Sequence, residues 1–158
     1  GMTTLHQEIG KIALFMGERT EVNREDILAV VNPSIRSRVF DLMDAVAGSD
    51  RARALVMLDE MIQKREAEQK IFYMIARQAG RLLQLRNMGP GLSSDAKAAR
   101  LDMNAYALSK MERLAGRMSR QTLVRFVQTC AEMDLAVKNG RIRMRLALEL
   151  LIAGLEAS

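Results

Sequence analysis

The segment QKIFYMIARQAGRLLQLRN, residues 69–87, has the clearest helical periodicity in the chain. The side chains that recur in it at intervals of three or four residues are Ile71, Ile75, Gln78, Leu82 and Leu85. Such spacing places one stripe of side chains along a single side of an α-helix. The segment is followed by Met88 to Ser94, a stretch rich in glycine, proline and serine that is typical of a loop. We therefore predict one long helix from Gln69 to Asn87, packed against a core through this stripe.

The same pattern extends in both directions from this helix. Further helices are predicted at 3–16, after Asn23, at 39–47, at 51–65, from the cap Ser94 to Leu101, at 104–118, from the cap Ser119 to Lys138, and at 141–155. No segment alternates apolar and polar residues over the length of a strand. Only 4% of the residues are aromatic and only two are proline, which favours helices over strands. The sequence predicts an all-α fold.

Composition limits the class of protein further. The chain has 158 residues, a net charge of +5 and 49% hydrophobic residues, as expected of a globular chain of about one domain. Residues 1–50 carry a net charge of −3, whereas residues 51–158 carry +8. Cys130 is the only cysteine, so we expect a reducing, cytoplasmic setting. No apolar run approaches the roughly 18 residues of a membrane span, so no membrane association is expected.

Candidate catalytic and metal-binding residues are few. His6 is the only histidine, and a zinc site needs three or four ligands. Cys130 lies on the apolar face of a predicted helix, where we expect it to be inert. No glycine-rich phosphate-binding loop is present. Asp41 and Asp44 are interpreted as acids at the start of a helix, where the helix dipole favours them. We expect no catalytic, cofactor or metal site.

The arginines are more informative, because they form groups on three predicted helices. These groups are Arg77, Arg81 and Arg86; Arg113, Arg117 and Arg120; and Arg141, Arg143 and Arg145. Such groups can bind phosphate. However, no aromatic residue is interleaved with them as a platform for stacked bases requires. Arginine is also enriched in protein interfaces, so contact with other proteins is the favoured role.

Five segments carry a resemblance to one family. They are VFDLMDAV at 39–46, LHQEIGKIALF at 5–15, VNREDILAVV at 22–31, ARQAGRLL at 76–83 and DLAVKNG at 134–140. In order and spacing they resemble the delta subunit of bacterial DNA polymerase III, the clamp-loader protein that opens the sliding clamp. Ala79 and Gly80 depart from the pattern, since the family has bulkier residues there.

The resemblance implies an architecture. Residues 1–33 are expected to be the end of the helical lid of an AAA+-type module, and residues 34–158 the collar, a helical bundle that assembles the clamp-loader ring. Gly1-Met2 is interpreted as the scar of a removed tag, so we expect a fragment that lacks the clamp-opening N-terminal domain. The fragment is expected to be non-catalytic, although the parent complex is a DNA-directed DNA polymerase, a nucleotidyltransferase.

The resemblance also implies partners. These are delta-prime and the ATPase subunits, the sliding clamp through the absent N-terminal part, and DNA only indirectly within the complex. The residues expected at the interface with other subunits are Phe72, Tyr73, Arg77, Arg81 and Arg125. Core packing is an equal alternative for Phe72 and Tyr73. The alternative function is a free-standing, basic, helical module that binds nucleic acid.

Overall fold

The computed structural model describes residues 33–153, and all regular secondary structure in this range is α-helical. The helices are α1 (Pro33–Ala47), α2 (Arg51–Gln63), α3 (Glu68–Asn87), α4 (Ser94–Leu101), α5 (Ala105–Gly116), α6 (Arg120–Lys138) and α7 (Met144–Ala153). The all-α prediction is confirmed. The expected lid segment and His6 lie outside the described residues.

Helix α3 is the centre of the bundle. It packs against α1, α5, α6 and α7, and more lightly against α4. Its stripe is buried as predicted at Ile71, Ile75, Leu82 and Leu85, and burial continues around the helix through Phe72, Met74, Ala76, Ala79, Gly80 and Leu83. A helix that is apolar on most sides has to be surrounded to keep those sides from water. The segment with the clearest periodicity is therefore also the one that the other helices enclose.

Helix α1 begins earlier than predicted. It starts at Pro33 instead of near Val39, because proline fits the first turn of a helix, where its missing N–H is not needed. Asp41 and Asp44 consequently lie well inside the helix, and their interpretation as acids at its start is wrong. Asp44 instead forms an ion pair with Arg117, which follows α5.

The spacing of Leu55, Leu58 and Ile62 predicts the core-facing row of α2, and the structure confirms only Leu58 of these three. The buried residues are Ala54, Leu58 and Met61, whereas Leu55 is 36% exposed and Ile62 is only partly buried. Two neighbouring rows of α2 are apolar, and periodicity alone does not distinguish them. The row with the small Ala54 packs between α1 and α7, which are the main contacts of α2.

Side-chain caps fix several helix ends. Asp50 accepts a hydrogen bond from the Arg53 N–H at 3.2 Å. Ser119 accepts one from the Thr122 N–H at 3.1 Å, as predicted. The cap of α4 is Ser93 instead of Ser94. After α6, Gly140 adopts φ +72°, a conformation that glycine accepts without strain. These caps set the lengths of the connections between helices.

None of the helices in residues 33–153 is both long and apolar enough to cross a membrane.

Candidate interface with other subunits

The five residues expected at an interface occupy three different surroundings. Phe72 has 0% exposure and is part of the hydrophobic core. A side chain with no accessible surface cannot contact another protein. Phe72 therefore has the alternative role, which is core packing. It drops out of the candidate interface.

Tyr73, Arg77 and Arg81 lie on the one narrow side of α3 that the described helices leave partly accessible. They are spaced four residues apart, which aligns them along the helix, and each is half-buried. We call them the α3 stripe. The Tyr73 ring meets the edge of Phe72 with centroids 5.8 Å apart and planes at 76°, which ties the stripe to the core. Tyr73, Arg77 and Arg81 therefore lie along one side of α3.

Arg125 is exposed on α6, away from the α3 stripe. Leu123 and Val127, two residues before and after it, are buried. A helix turns by about 100° per residue, so Arg125 points to the side opposite its buried neighbours. Helix α3 packs on the buried side of α6, so Arg125 and the α3 stripe belong to different surfaces.

Two helices display apolar side chains that sequence analysis did not place at an interface. Val56 on α2 is 57% exposed, and Leu146 and Leu150 on α7 are 45% and 42% exposed. Leu55, also on α2, joins them at the junction with α7. We call Leu55, Val56, Leu146 and Leu150 the α2–α7 face. The sequence does contain a signal for this face. The only polar residues of α7 are Arg145 and Glu149, and the core uses one side of that helix, so apolar side chains are left over on its other side.

Polar contacts at both ends hold α2 and α7 in an antiparallel pair. Arg51 Nη1 donates a hydrogen bond to the carbonyl of Ala153 at 3.2 Å. At the other end, Arg145 Nη2 donates to Asp59 at 2.8 Å, and Arg145 Nε donates to Glu149 at 3.0 Å. The hydrogen bonds to Asp59 and Glu149 raise the pKa of Arg145. The α2–α7 face is therefore built on two helices whose relative position is fixed.

A third surface joins α1 and α5. Lys110 Nζ lies 4.7 Å from the ring centroid of Phe40 on α1 and 5.6 Å from that of Tyr106 on α5. Tyr106, Lys110 and Arg113 share one side of α5, which continues to Arg117. We call these residues, with Phe40, the α1–α5 face. The α1–α5 face is not evident from the sequence, because its aromatic and basic residues meet only when the two helices pack.

Reactive groups are sparse in the part of the chain that the structure describes. Cys130 is buried, and burial, with a smaller contribution from the charge of Asp134, raises the pKa of its thiol far above the usual range. Asp134 is itself buried and forms an ion pair at 3.0 Å with Lys138, as their spacing of four residues on a helix predicts. Residues 33–153 contain no group of three or more His, Cys, Asp or Glu side chains placed to hold a metal ion. The surfaces described above are therefore the better candidates for function.

Comparison with known proteins agrees with this architecture. The chain is 24% identical over 152 residues to DNA polymerase III subunit delta of Bacillus subtilis (strain 168), which covers 96% of this chain and 44% of that protein. Its fold is similar to that of the Bacillus subtilis DNA clamp loader delta protein, with a TM-score of 0.72 and 23% identity, over 83% of this chain and 39% of that one. The chain thus spans less than half the length of either relative.

The family described as DNA polymerase III delta subunit, C-terminal domain, matches residues 36–155. This range contains all but the first residues of α1 and every other described helix. The chain therefore belongs to the family formed by the C-terminal domains of DNA polymerase III delta subunits.

Proposed function

We propose that this chain is the assembly part of a non-catalytic clamp-loader subunit of bacterial DNA polymerase III. One observation carries the proposal: the family match extends over residues 36–155, onto a helical bundle that displays apolar and arginine side chains on separate surfaces. Residues 34–158 are then the collar, and residues 1–33 the end of the lid. The clamp-opening step belongs to an N-terminal domain outside this chain, and the protein acts in the cytoplasm.

The proposed partners are the delta-prime and ATPase subunits of the clamp loader. A ring of subunits joined head to tail needs two different surfaces on each member, one for each neighbour. The α3 stripe is proposed as the first, because tyrosine and arginine are enriched among the residues that dominate binding energy. Arg125 is proposed to make at most a peripheral contact, since it lies on another side of the bundle.

Assembly of purified subunits tests this proposal. The chain is mixed at micromolar concentration with delta-prime and ATPase subunits from the same bacterium, and complexes are sized by chromatography with light scattering. We expect co-elution with these subunits. The proposal is overturned if the chain elutes alone under conditions in which the full-length delta subunit assembles.

A charge-reversal pair sharpens the test. Arg77→Glu with Arg81→Glu is expected to weaken assembly at least tenfold, whereas Arg125→Glu is expected to change it less than twofold. Circular dichroism and thermal melting of each variant show whether the bundle is intact. Equal effects of the two changes would contradict the assignment of the first surface to the α3 stripe.

Nucleic-acid binding by a free-standing module is the second candidate, and the α1–α5 face favours it. Along the sequence no aromatic residue is interleaved with the basic ones. In the structure, however, the rings of Phe40 and Tyr106 both lie close to the Lys110 ammonium group. Aromatic rings beside cations suit single-stranded nucleic acid, which binds through stacking and phosphate contacts.

Fluorescence anisotropy with a short single-stranded DNA tests this candidate. It requires binding that weakens steeply between about 50 and 200 mM salt, as counterion release demands. It also requires weaker binding by Tyr106→Ala at either salt concentration. No binding at the lower concentration removes the candidate.

A further inference from the structure

We infer that the α2–α7 face binds an amphipathic helix of a neighbouring clamp-loader subunit, one whose apolar stripe ends in acidic residues. This inference rests on the proposed function and supplies the second of the two surfaces that a ring requires. Its basis is a rigid apolar ridge with unneutralised positive charge at one end.

The ridge lies on the outward side of α7. Leu146 and Leu150 are one helical turn apart, and both are more than 40% exposed. The core side of the same helix is already filled by Ala147, Leu148, Leu151 and Ile152. The two outward leucines lie outside the core cluster. Together with Leu55 and Val56 on α2, these leucines are protruding apolar side chains of the kind that fit into the grooves of another helix.

The ridge is also held in place. Arg145 is bound by two carboxylates, those of Asp59 and Glu149, and the Asp59 carboxylate accepts a further hydrogen bond from the Gln63 amide at 2.9 Å. A surface fixed before binding loses little conformational entropy when a partner docks. The same network carries a net formal charge of −1, because one arginine binds two carboxylates.

Positive charge remains at the N-terminal end of α7. Arg143 precedes Leu146 by three residues, and Arg141 lies two residues before Arg143; both are exposed. Neither forms an ion pair with a carboxylate of the described residues. An occupant with acidic side chains beyond its apolar stripe would neutralise both arginines at the edge of the contact.

A second copy of this chain is the competing occupant, because in a two-fold contact the same apolar residues meet on both sides. The oligomeric state of the unchanged chain distinguishes the two occupants.

Binding measurements with three variants test the inference. The dissociation constant for the delta-prime and ATPase subunits of the same bacterium is measured by surface plasmon resonance at two salt concentrations. Leu146→Glu with Leu150→Glu is expected to weaken binding at least 100-fold. Arg141→Glu with Arg143→Glu is expected to weaken it about tenfold and to reduce its salt dependence. Leu135→Glu is the matched control on α6, because Leu135 is 59% exposed and belongs to none of the three named surfaces. Its binding is expected to stay within twofold of the unchanged chain.

The arginine variant keeps the test valid if the leucine variant does not fold, because Arg141 and Arg143 precede α7 and lie outside the core. Binding that survives in both double variants overturns the inference while leaving the proposed function intact. Loss of binding by the unchanged chain counts against the proposed function itself. Self-association of the unchanged chain that Leu146→Glu with Leu150→Glu abolishes would make a second copy the occupant and would also overturn the inference.

Discussion

Helices α3 and α7 are both rich in apolar residues, but they use them differently. In α3 the apolar side chains are buried by the surrounding helices, and the α3 stripe of Tyr73, Arg77 and Arg81 is partly accessible. In α7 one side packs into the core while Leu146 and Leu150 face outward. The apolar residues of α3 stabilise the bundle, whereas those of α7 exceed what the bundle needs. The proposed second surface rests on this excess.

Truncation of one residue in each helix gives the largest predicted contrast. Phe72→Ala is expected to lower the free energy of unfolding by about 3–5 kcal/mol, because it leaves a cavity in the core. Leu150→Ala is expected to change it by less than about 0.5 kcal/mol, as at most surface positions. Urea denaturation of both variants measures the difference. Similar losses for both would mean that Leu150 contributes to the core as much as Phe72 does.

The buried thiol of α6 gives the next largest effect, through pH. The pKa of Cys130 is raised by burial, so the native state keeps its proton while the unfolded thiol ionises above a pKa of about 8.5. Stability is therefore unaffected by this group at lower pH and falls above that value, by about 1 kcal/mol between pH 9 and 10. Cys130→Ala removes this contribution.

Urea titrations of both proteins at pH 7, 9 and 10 check this prediction. We expect the stability of the unchanged chain to fall more steeply above pH 9 than that of Cys130→Ala. Parallel curves for the two proteins would show that the thiol ionises equally in the folded and unfolded states.

Helix ends give a smaller contrast. Asn104 accepts a hydrogen bond from the Ala107 N–H at 2.7 Å and caps α5, so Asn104→Ala is expected to cost about 1 kcal/mol. Helix α3 begins after Ala67, which has extended backbone angles and a methyl group that accepts no hydrogen bond. Ala67→Ser is expected to gain about 0.5–1 kcal/mol. Thermal melting of both variants checks the sign of each change in stability. A lower melting temperature for Ala67→Ser would contradict the expectation that a serine here caps α3.

The predictability of the fold depended on how many apolar rows each helix carries. Helix α3 was predicted to within one residue, because its stripe is long and a loop follows it. The core side of α2 was predicted correctly only at Leu58, because the rows containing Ala54 and Leu55 are both apolar. The start of α1 was missed because the residue before a proline avoids helical dihedrals, so Pro33 indicates the end of a helix, although proline is also common at the first position of one.

The candidate site was harder to predict than the fold, because it depends on how helices rotate against each other. Tyr73, Arg77 and Arg81 share one helix, and their alignment follows from spacing alone. Lys110 meets Phe40 only through the packing of α1 and α5, which no local pattern encodes. Leu146 and Leu150 were visible in the sequence, but only burial of the opposite side of α7 distinguishes them from core residues.

Hydrogen–deuterium exchange of the chain, alone and with its clamp-loader partners, tests most directly whether the α2–α7 face is an interface. We expect partner binding to slow exchange of the amides in residues 144–153 and 51–63, where this face lies. Little change is expected in α5, on the α1–α5 face. Slower exchange confined to α1 and α5, with residues 144–153 unchanged in a formed complex, would contradict the assignment.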